Sequence, residues 1–269
     1  MDRFTLMYRF VLLFSLLLFF SSCYKRVEGC LDTFSANFNP NADDPCAACC
    51  TNPELKITIK HRLNEAFYSP NDTITNDLNQ AYKLLDFGYY LSDIFPVFTT
   101  NEILTGINKF EYQYQQQNME VPDHVTFIRP DVFDYSVNEI RQYGHFHSIQ
   151  LLVGFENSLS NATSIQVPDT HILSDSLFLR DSIGNKTWGF VKIVKGTEFK
   201  DTLTLDFYLN DDSVFLILPK DITNTKGTNL TYTLLADYTN WFNNVDMNHT
   251  VSEIKRGVLA NLKLAFAVE

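Results

Sequence analysis

The chain has 269 residues and a formal net charge of −11, with 45% hydrophobic and 14% aromatic residues. A chain this apolar buries a core and is not intrinsically disordered. Its acidity excludes the basic surface that nucleic acid or anionic lipid head groups require, so we expect no nucleic-acid partner.

The N-terminal segment 1–22 has the features of an export signal. It carries Arg3 and Arg9, then a strongly apolar run, and small serines lead up to Cys23. The run is too short to span a bilayer as a stable helix. The tetrapeptide 20–23 (FSSC) resembles a bacterial lipobox, in which the cysteine is lipidated. We therefore expect a lipoprotein signal peptide over 1–22 and lipidation at Cys23, with an ordinary cleaved signal as the alternative.

Four further cysteines lie close together, at Cys30, Cys46, Cys49 and Cys50. An exported chain meets an oxidising compartment, so we expect two disulfides among them, with three possible connectivities. The adjacent pair should bond outward rather than to each other. A zinc or other thiolate site is the alternative, because Cys46 and Cys49 have the spacing of metal ligands.

Residues 23–53 are interpreted as a Cys-rich spacer module. The stretches GCLD and SANFNPNADDPC resemble a Cys-bounded repeat common in exported Bacteroidetes proteins. The turn-rich composition favours a spacer that holds the body away from the membrane. The alternative is a calcium site, for which hard oxygen ligands are offered by Asn39, Asn41, Asp43 and Asp44.

The body, 54–269, reads as a series of short strands. Strands are predicted where apolar or alternating runs occur, at 55–61, 81–92 (with a break at Gly88), 124–128, 145–155, 187–194 and 229–236. A hairpin is expected over 202–218, a polar loop over 113–118 and a helix over 252–266. We predict a mainly β fold: a single β-sandwich of immunoglobulin-like architecture, with a C-terminal helix and a small disulfide-stapled N-terminal segment.

Several segments of the body, taken in order, resemble sequence blocks of one known family. The segment 86–94 resembles its YYLSNI block, 148–154 its I-x-F-x-[IL]-G strand, and 188–193 a shortened form of its W-x-x-G-Y-x-F-x-K-[LI] block. The segments 241–247 and 262–266 resemble its C-terminal region. The family is that of the MbnP-like proteins, which are exported β-sandwich proteins.

The resemblance implies copper binding outside the cytoplasm, since characterised members use two histidines and an oxidised tryptophan. His61, at the end of the first predicted strand, is the counterpart of the first histidine. Ile59 stands where the tryptophan would be, and neither Trp188 nor Trp241 has a histidine two residues later. We therefore expect no modified-tryptophan ligand in this chain.

His145 and His147 form the pair most typical of a metal site. Residues two apart on a strand face the same side, and two imidazoles on one face chelate a metal such as copper or zinc. His61 supplies a third ligand if its strand lies alongside. The alternative is that these histidines simply occupy a wet strand face.

The sequence contains no hydrolase elbow, zinc-protease motif or Gly-rich phosphate loop, so we expect that the protein is not an enzyme. Aromatic stretches at 87–90 and 110–114 suit either stacking on sugars or, as we favour, the packing of a sandwich core.

Two functions follow from the sequence. The first is a cell-envelope protein, lipid-anchored at the outer membrane, that binds or handles copper without catalysis. The second is a non-metal surface-binding or structural module that engages a glycan or an outer-membrane protein. Basic residues at Lys25 and Arg26 favour a periplasmic rather than a surface location.

Overall fold

The computed structural model describes residues 25–196 and 198–269. The predicted signal peptide 1–22 and the lipidation site Cys23 lie outside the described residues. Strands dominate the regular structure of the described part, and its helices are short. No helix in that part is long and apolar enough to cross a membrane.

The strands are numbered in chain order along the described residues. They are β1 (Glu28–Gly29), β2 (Asp44–Pro45), β3 (Glu54–Leu63), β4 (Ala66–Phe67), β5 (Ile74–Thr75), β6 (Ala81–Phe98), β7 (Lys109–Tyr114), β8 (Gln117–Pro122), β9 (Thr126–Ile128), β10 (Asp134–Glu139), β11 (Gly144–Val153), β12 (Ser164–Gln166), β13 (Thr187–Lys195), β14 (Asp201–Tyr208), β15 (Val214–Asn224), β16 (Leu230–Asp237) and β17 (Phe266–Val268). The α-helices are α1 (Asn157–Ser160) and α2 (Val251–Asn261). Short 3₁₀ turns cover Ala47–Cys49, Tyr238–Phe242 and Leu262–Ala265.

Two large sheets carry the core. One has the strand order β10-β3-β16-β17, with β4 paired to β3. The other has the order β14-β13-β6-β11-β15, with β5 and β9 paired along β6. Buried side chains from both sheets meet in one hydrophobic cluster. The predicted mainly β sandwich with a C-terminal helix is therefore confirmed.

β3 shows how sequence alternation positions a central strand. Every second residue is buried, from Leu55 through His61 to Leu63, as the alternation predicted. The strand pairs in parallel with β16 and antiparallel with β10. Because His61 falls on the buried face of this alternation, its polar side chain lies in the core.

β6 joins the parts of the larger sheet. Its first half pairs with β13 and its second half with β11. The predicted break at Gly88 is wrong, because the strand runs straight through this residue. A Cβ there would lie 2.6 Å from the ring of Phe127 and 2.8 Å from that of Phe190, so the glycine permits close packing rather than a turn.

Two predicted connections differ from the structure. The polar segment 113–118 is not a loop but the tip of the β7–β8 hairpin, turned by Gln115 and Gln116 at positive φ of 49° and 64°. The hairpin expected over 202–218 is also wrong. β14 and β15 lie at opposite edges of the larger sheet, where they pair with β13 and β11 instead of with each other.

The C-terminal helix is shorter than the expected 252–266. α2 ends at Asn261, whose side-chain amide donates hydrogen bonds to the carbonyl oxygens of Trp241 and Asn243. The chain then enters β17, which pairs with β16. Pairing with a distant strand thus overrides the helical spacing of the apolar residues.

A capping box fixes the start of α2. The Thr250 hydroxyl accepts a hydrogen bond from the Glu253 amide at 3.4 Å, and the Glu253 carboxylate accepts one from the Thr250 amide at 3.0 Å. These contacts satisfy amide groups that the first helical turn leaves unpaired. The cap holds Ile254 and Val258 in the core.

Replacing Thr250 by alanine should lower the free energy of unfolding by about 1 kcal/mol, the usual value of such a cap. Urea denaturation followed by circular dichroism measures the change. Thr250→Ser keeps the hydroxyl and should stay close to the wild type. Equal losses in both variants would contradict a role for the hydroxyl.

Candidate functional site

The cysteine module contains one of the two expected disulfides. Cys30 is bonded to Cys50, so Cys50 bonds outward rather than to the adjacent Cys49. Cys46 and Cys49 are free thiols, and the second expected bridge is not formed. The Cys49 thiol donates a hydrogen bond to the Cys46 carbonyl oxygen at 3.1 Å. The neighbouring Cys46 side chain is the main cause of a raised pKa at Cys49.

The module packs against one end of the body. The Asp32 carboxylate pairs with the Arg141 guanidinium, which also lies 5.7 Å from the centre of the Phe34 ring. The Nζ atom of Lys226 lies 3.9 Å from the same ring centre, and Tyr143 packs beside it. These cation–π and ion-pair contacts make the predicted spacer a docked element.

Three of the four side chains considered for calcium, those of Asn39, Asp43 and Asp44, have other partners. The Asn39 side chain accepts from the Asn41 amide at 3.0 Å, and the Asp43 carboxylate accepts from the Val27 amide at 2.9 Å. Asp44 pairs with Arg26. These contacts hold the turns of the module.

A cleft lies mainly within the module, where Arg141 of the body contacts it. It has a volume of about 350 Å³, and its walls include Cys46, Asp32, Asn52 and Arg141. Volumes of this size lie at the lower end of those that hold small ligands. The cleft therefore brings one free thiol and a charged pair to the same surface.

His61 is a core residue and does not join the other predicted ligands. It is only 2% exposed. Its Nε2–H donates to the Val132 carbonyl at 2.9 Å, so Nδ1 accepts from the Tyr238 hydroxyl at 2.5 Å. Burial lowers its pKa and keeps the ring neutral. Both ring nitrogens are occupied within the protein.

A three-histidine site would require the strand of His61 to lie beside the strand of His145 and His147, and it does not. β3, which carries His61, pairs with β4, β10 and β16, whereas β11 pairs with β6 and β15 in the other sheet. Among the described residues, no group of three or more His, Cys, Asp or Glu side chains is placed to hold a metal ion. His61 is therefore separated from His145 and His147.

His145 and His147 both point away from the core. They alternate with Phe146 and Ser148, which are buried, while His145 is exposed and His147 half-buried. Between Phe146 and Ser148, the register of β11 shifts in its pairing with both neighbouring strands, β6 and β15. The two imidazoles thus lie on the outer side of the strand, at an irregularity that locally disrupts the ladder.

β15 supplies polar groups next to His145. The Thr223 hydroxyl lies 2.9 Å from its Nδ1, and the Asp221 carboxylate oxygen Oδ1 lies 3.9 Å from its Nε2. Asp221 occurs where β15 departs from regular register, opposite the irregularity of β11. The surface therefore offers two imidazoles with a carboxylate nearby.

Sequence reasoning considered His171 only as a weaker ligand candidate and missed its grouping with Asp123 and His124. His124 is buried, its Nε2 accepts a hydrogen bond from the Gly106 amide at 3.0 Å, and its ring packs on Phe95. Burial lowers its pKa to about 4. The adjacent Asp123 accepts from Nε2 of His171 at 2.9 Å. No sequence signal identifies this group, because its members come from separate loops.

The aromatic stretches belong to the core. Their buried members are Phe87, Tyr89, Tyr90, Phe110 and Tyr112. The favoured prediction of core packing is therefore confirmed, since buried rings cannot stack on a sugar from solvent.

Comparison with known proteins finds little at the level of sequence. No family model matches the chain, and no curated protein matches it. Among solved structures, MbnP from Methylosinus trichosporium aligns with 8% identity and a TM-score of 0.41, covering 71% of this chain and 78% of that one. The chain thus has a distant structural resemblance to the MbnP fold.

Replacing Tyr238 by phenylalanine tests the structural role of His61. The change removes the hydroxyl that His61 Nδ1 contacts, so the free energy of unfolding should fall by about 1–3 kcal/mol, the cost of an unpaired buried polar group. Denaturant unfolding measures it. Tyr143→Phe, at an exposed tyrosine, is the matched control and should be neutral. An unchanged Y238F protein would refute the structural role.

Acid should destabilise the protein between pH 6.5 and about 4 through His124. The unfolded state takes up a proton below its pKa near 6.5, while the folded state does not, so stability falls with pH. This lowering of the His124 pKa corresponds to a loss of about 3 kcal/mol in the free energy of unfolding at acid pH. In His124→Gln the side-chain oxygen replaces Nε2 as acceptor, so unfolding free energies at pH 7 and pH 4.5 should differ less than in the wild type.

The matched control for this prediction is His249→Gln, which changes a more exposed histidine. It should keep the wild-type dependence on pH. Parallel acid curves for His124→Gln and the wild type would show that other groups cause the destabilisation.

Proposed function

We propose that the protein is a lipid-anchored, non-catalytic protein of the cell envelope that binds copper through His145 and His147. The observation that supports this function is the pair of outward-facing imidazoles on β11. Imidazole nitrogen is a ligand that suits copper, zinc and nickel. The distant resemblance to the MbnP fold is compatible with this function but does not carry the argument.

Asp221 is the candidate third ligand. Its carboxylate oxygen lies 3.9 Å from His145 Nε2, so a side-chain rotation brings oxygen and nitrogen to a common ion. Its side chain is 80% exposed and free to rotate. Nitrogen and oxygen donors with open positions for water suit Cu(II) rather than Cu(I).

The cell-envelope location is supported by two features of the N-terminal part. The segment 1–22 has the composition of a lipoprotein signal, with Cys23 as the attachment point. The Cys30–Cys50 disulfide suits an oxidising compartment. A lipid on Cys23 leaves few residues between the membrane and the docked module, so the body is held close to the membrane surface.

One observation favours the second candidate function, a surface module that binds a protein partner. Phe215 and Ile217 are 55% and 57% exposed on β15, at an edge of the larger sheet. Exposed apolar side chains on an edge strand are features of protein-binding surfaces. This function requires no metal, so metal analysis separates it from the first.

The copper proposal predicts about one Cu(II) per chain, bound through histidine nitrogen. The full chain, purified in detergent without a histidine tag, is loaded with Cu(II), challenged with a competing chelator and analysed for metal. His145→Ala combined with His147→Ala should lose the bound copper. Asp221→Asn should weaken binding while retaining the fold.

His249→Ala, at another accessible histidine, is the matched control and should retain the metal. Circular dichroism verifies that each variant is folded. A wild-type chain that releases all copper to the chelator, or a double variant that keeps it, refutes these ligands. The apolar surface of β15 then becomes the leading functional candidate.

A further inference from the structure

The two free thiols occupy a tight turn in a module that is otherwise cross-linked. Cys46 directly precedes the 3₁₀ turn Ala47–Cys49, and the Cys49 amide donates to the Cys46 carbonyl at 3.4 Å. The Cys49 thiol donates to the same carbonyl at 3.1 Å. The turn therefore brings the second thiol back onto the backbone of the first cysteine, within the short Cys-x-x-Cys spacing that disulfide closure requires.

The surroundings of the pair are held in place independently of it. The Cys30–Cys50 bond closes the module, and Cys30 is buried. The Asp32–Arg141 pair fixes the module on the body. Oxidation or reduction of Cys46 and Cys49 can thus proceed while the rest of the module keeps its shape.

The two thiols differ in their access. Cys46 forms part of the wall of the 350 Å³ cleft, next to Asn52 and the Asp32–Arg141 pair. Cys49 is exposed outside that wall. A small disulfide with amino and carboxylate groups that enters the cleft meets polar side chains there and reaches Cys46 first.

The thiols also differ in reactivity. Thiolate, not thiol, is the attacking species in disulfide exchange. The neighbouring Cys46 side chain is the main cause of a raised pKa at Cys49, so Cys49 has a disfavoured thiolate while the Cys46 thiol is intact. It is suited to the second step, once the first sulfur has reacted.

We propose that Cys46 and Cys49 form a thiol–disulfide exchange site for low-molecular-weight disulfides, with Cys46 as the attacking and Cys49 as the resolving residue. The Cys46 thiolate attacks one sulfur of the disulfide RSSR, forms a Cys46–SR bond and releases RS⁻. The Cys49 thiolate then attacks the Cys46 sulfur, closes the Cys46–Cys49 bond and releases the second RS⁻. Two electrons pass from the protein to RSSR, and the two thiol protons end on the released RSH molecules.

Oxidised glutathione added to the full chain tests this site. The wild type should release two glutathione molecules per chain and carry no adduct, with a new Cys46–Cys49 bond found by peptide mapping under non-reducing conditions. Cys49→Ser should stop at a mixed disulfide on Cys46. Cys46→Ser should form its adduct on Cys49 more slowly than Cys49→Ser forms its adduct on Cys46, because Cys49 lies outside the cleft that receives the disulfide.

The controls separate this site from the copper proposal. The His145→Ala and His147→Ala double variant should react like the wild type, and the Cys30–Cys50 bond should persist in every variant. Equal rates of adduct formation in the two serine variants overturn the assigned order of attack. A wild-type chain that keeps both thiols free, or that exchanges Cys30–Cys50 instead, overturns the site itself.

Discussion

The structure depends on the packing of β6 against the opposite sheet. Phe87 and Tyr89 of β6 contact Tyr238 and Trp241, which follow β16, with ring centres 4.2 to 5.9 Å apart. The two tyrosine hydroxyls extend this contact. The hydroxyl oxygens of Tyr89 and Tyr238 lie 3.2 Å apart, and the Tyr238 hydroxyl lies 2.5 Å from Nδ1 of His61. Buried rings supply the apolar area, and the hydrogen-bonded chain allows a histidine to lie among them.

That same packing determines which histidines are accessible. His61 is held in the core by Tyr238 and Val132, so its ring is part of the fold. His145 and His147 lie on the outer face of β11, where no aromatic contact covers them in the described residues. The sandwich therefore divides the predicted ligand set into one structural histidine and two that solvent can reach.

The N-terminal module is stabilised differently from the body, because covalent and electrostatic contacts replace a hydrophobic core. One disulfide closes the module, and an ion pair and two cations over the Phe34 ring hold it against the body. Such a small element has too little apolar area to fold by burial alone. Its remaining thiols are Cys46, in the wall of the cleft, and Cys49, which is exposed.

The sequence by itself determined the β class, the alternation of β3, the start of the C-terminal helix and the outward bonding of Cys50. These features depend on neighbours within a few residues, so local pattern is sufficient to predict them. Only the tertiary structure decided the partner of His61, which is 177 residues away, the pairing of β3 with β16 and the separation of β14 from β15. Strand partners are selected by the joint packing of two sheets, and no local pattern records that choice.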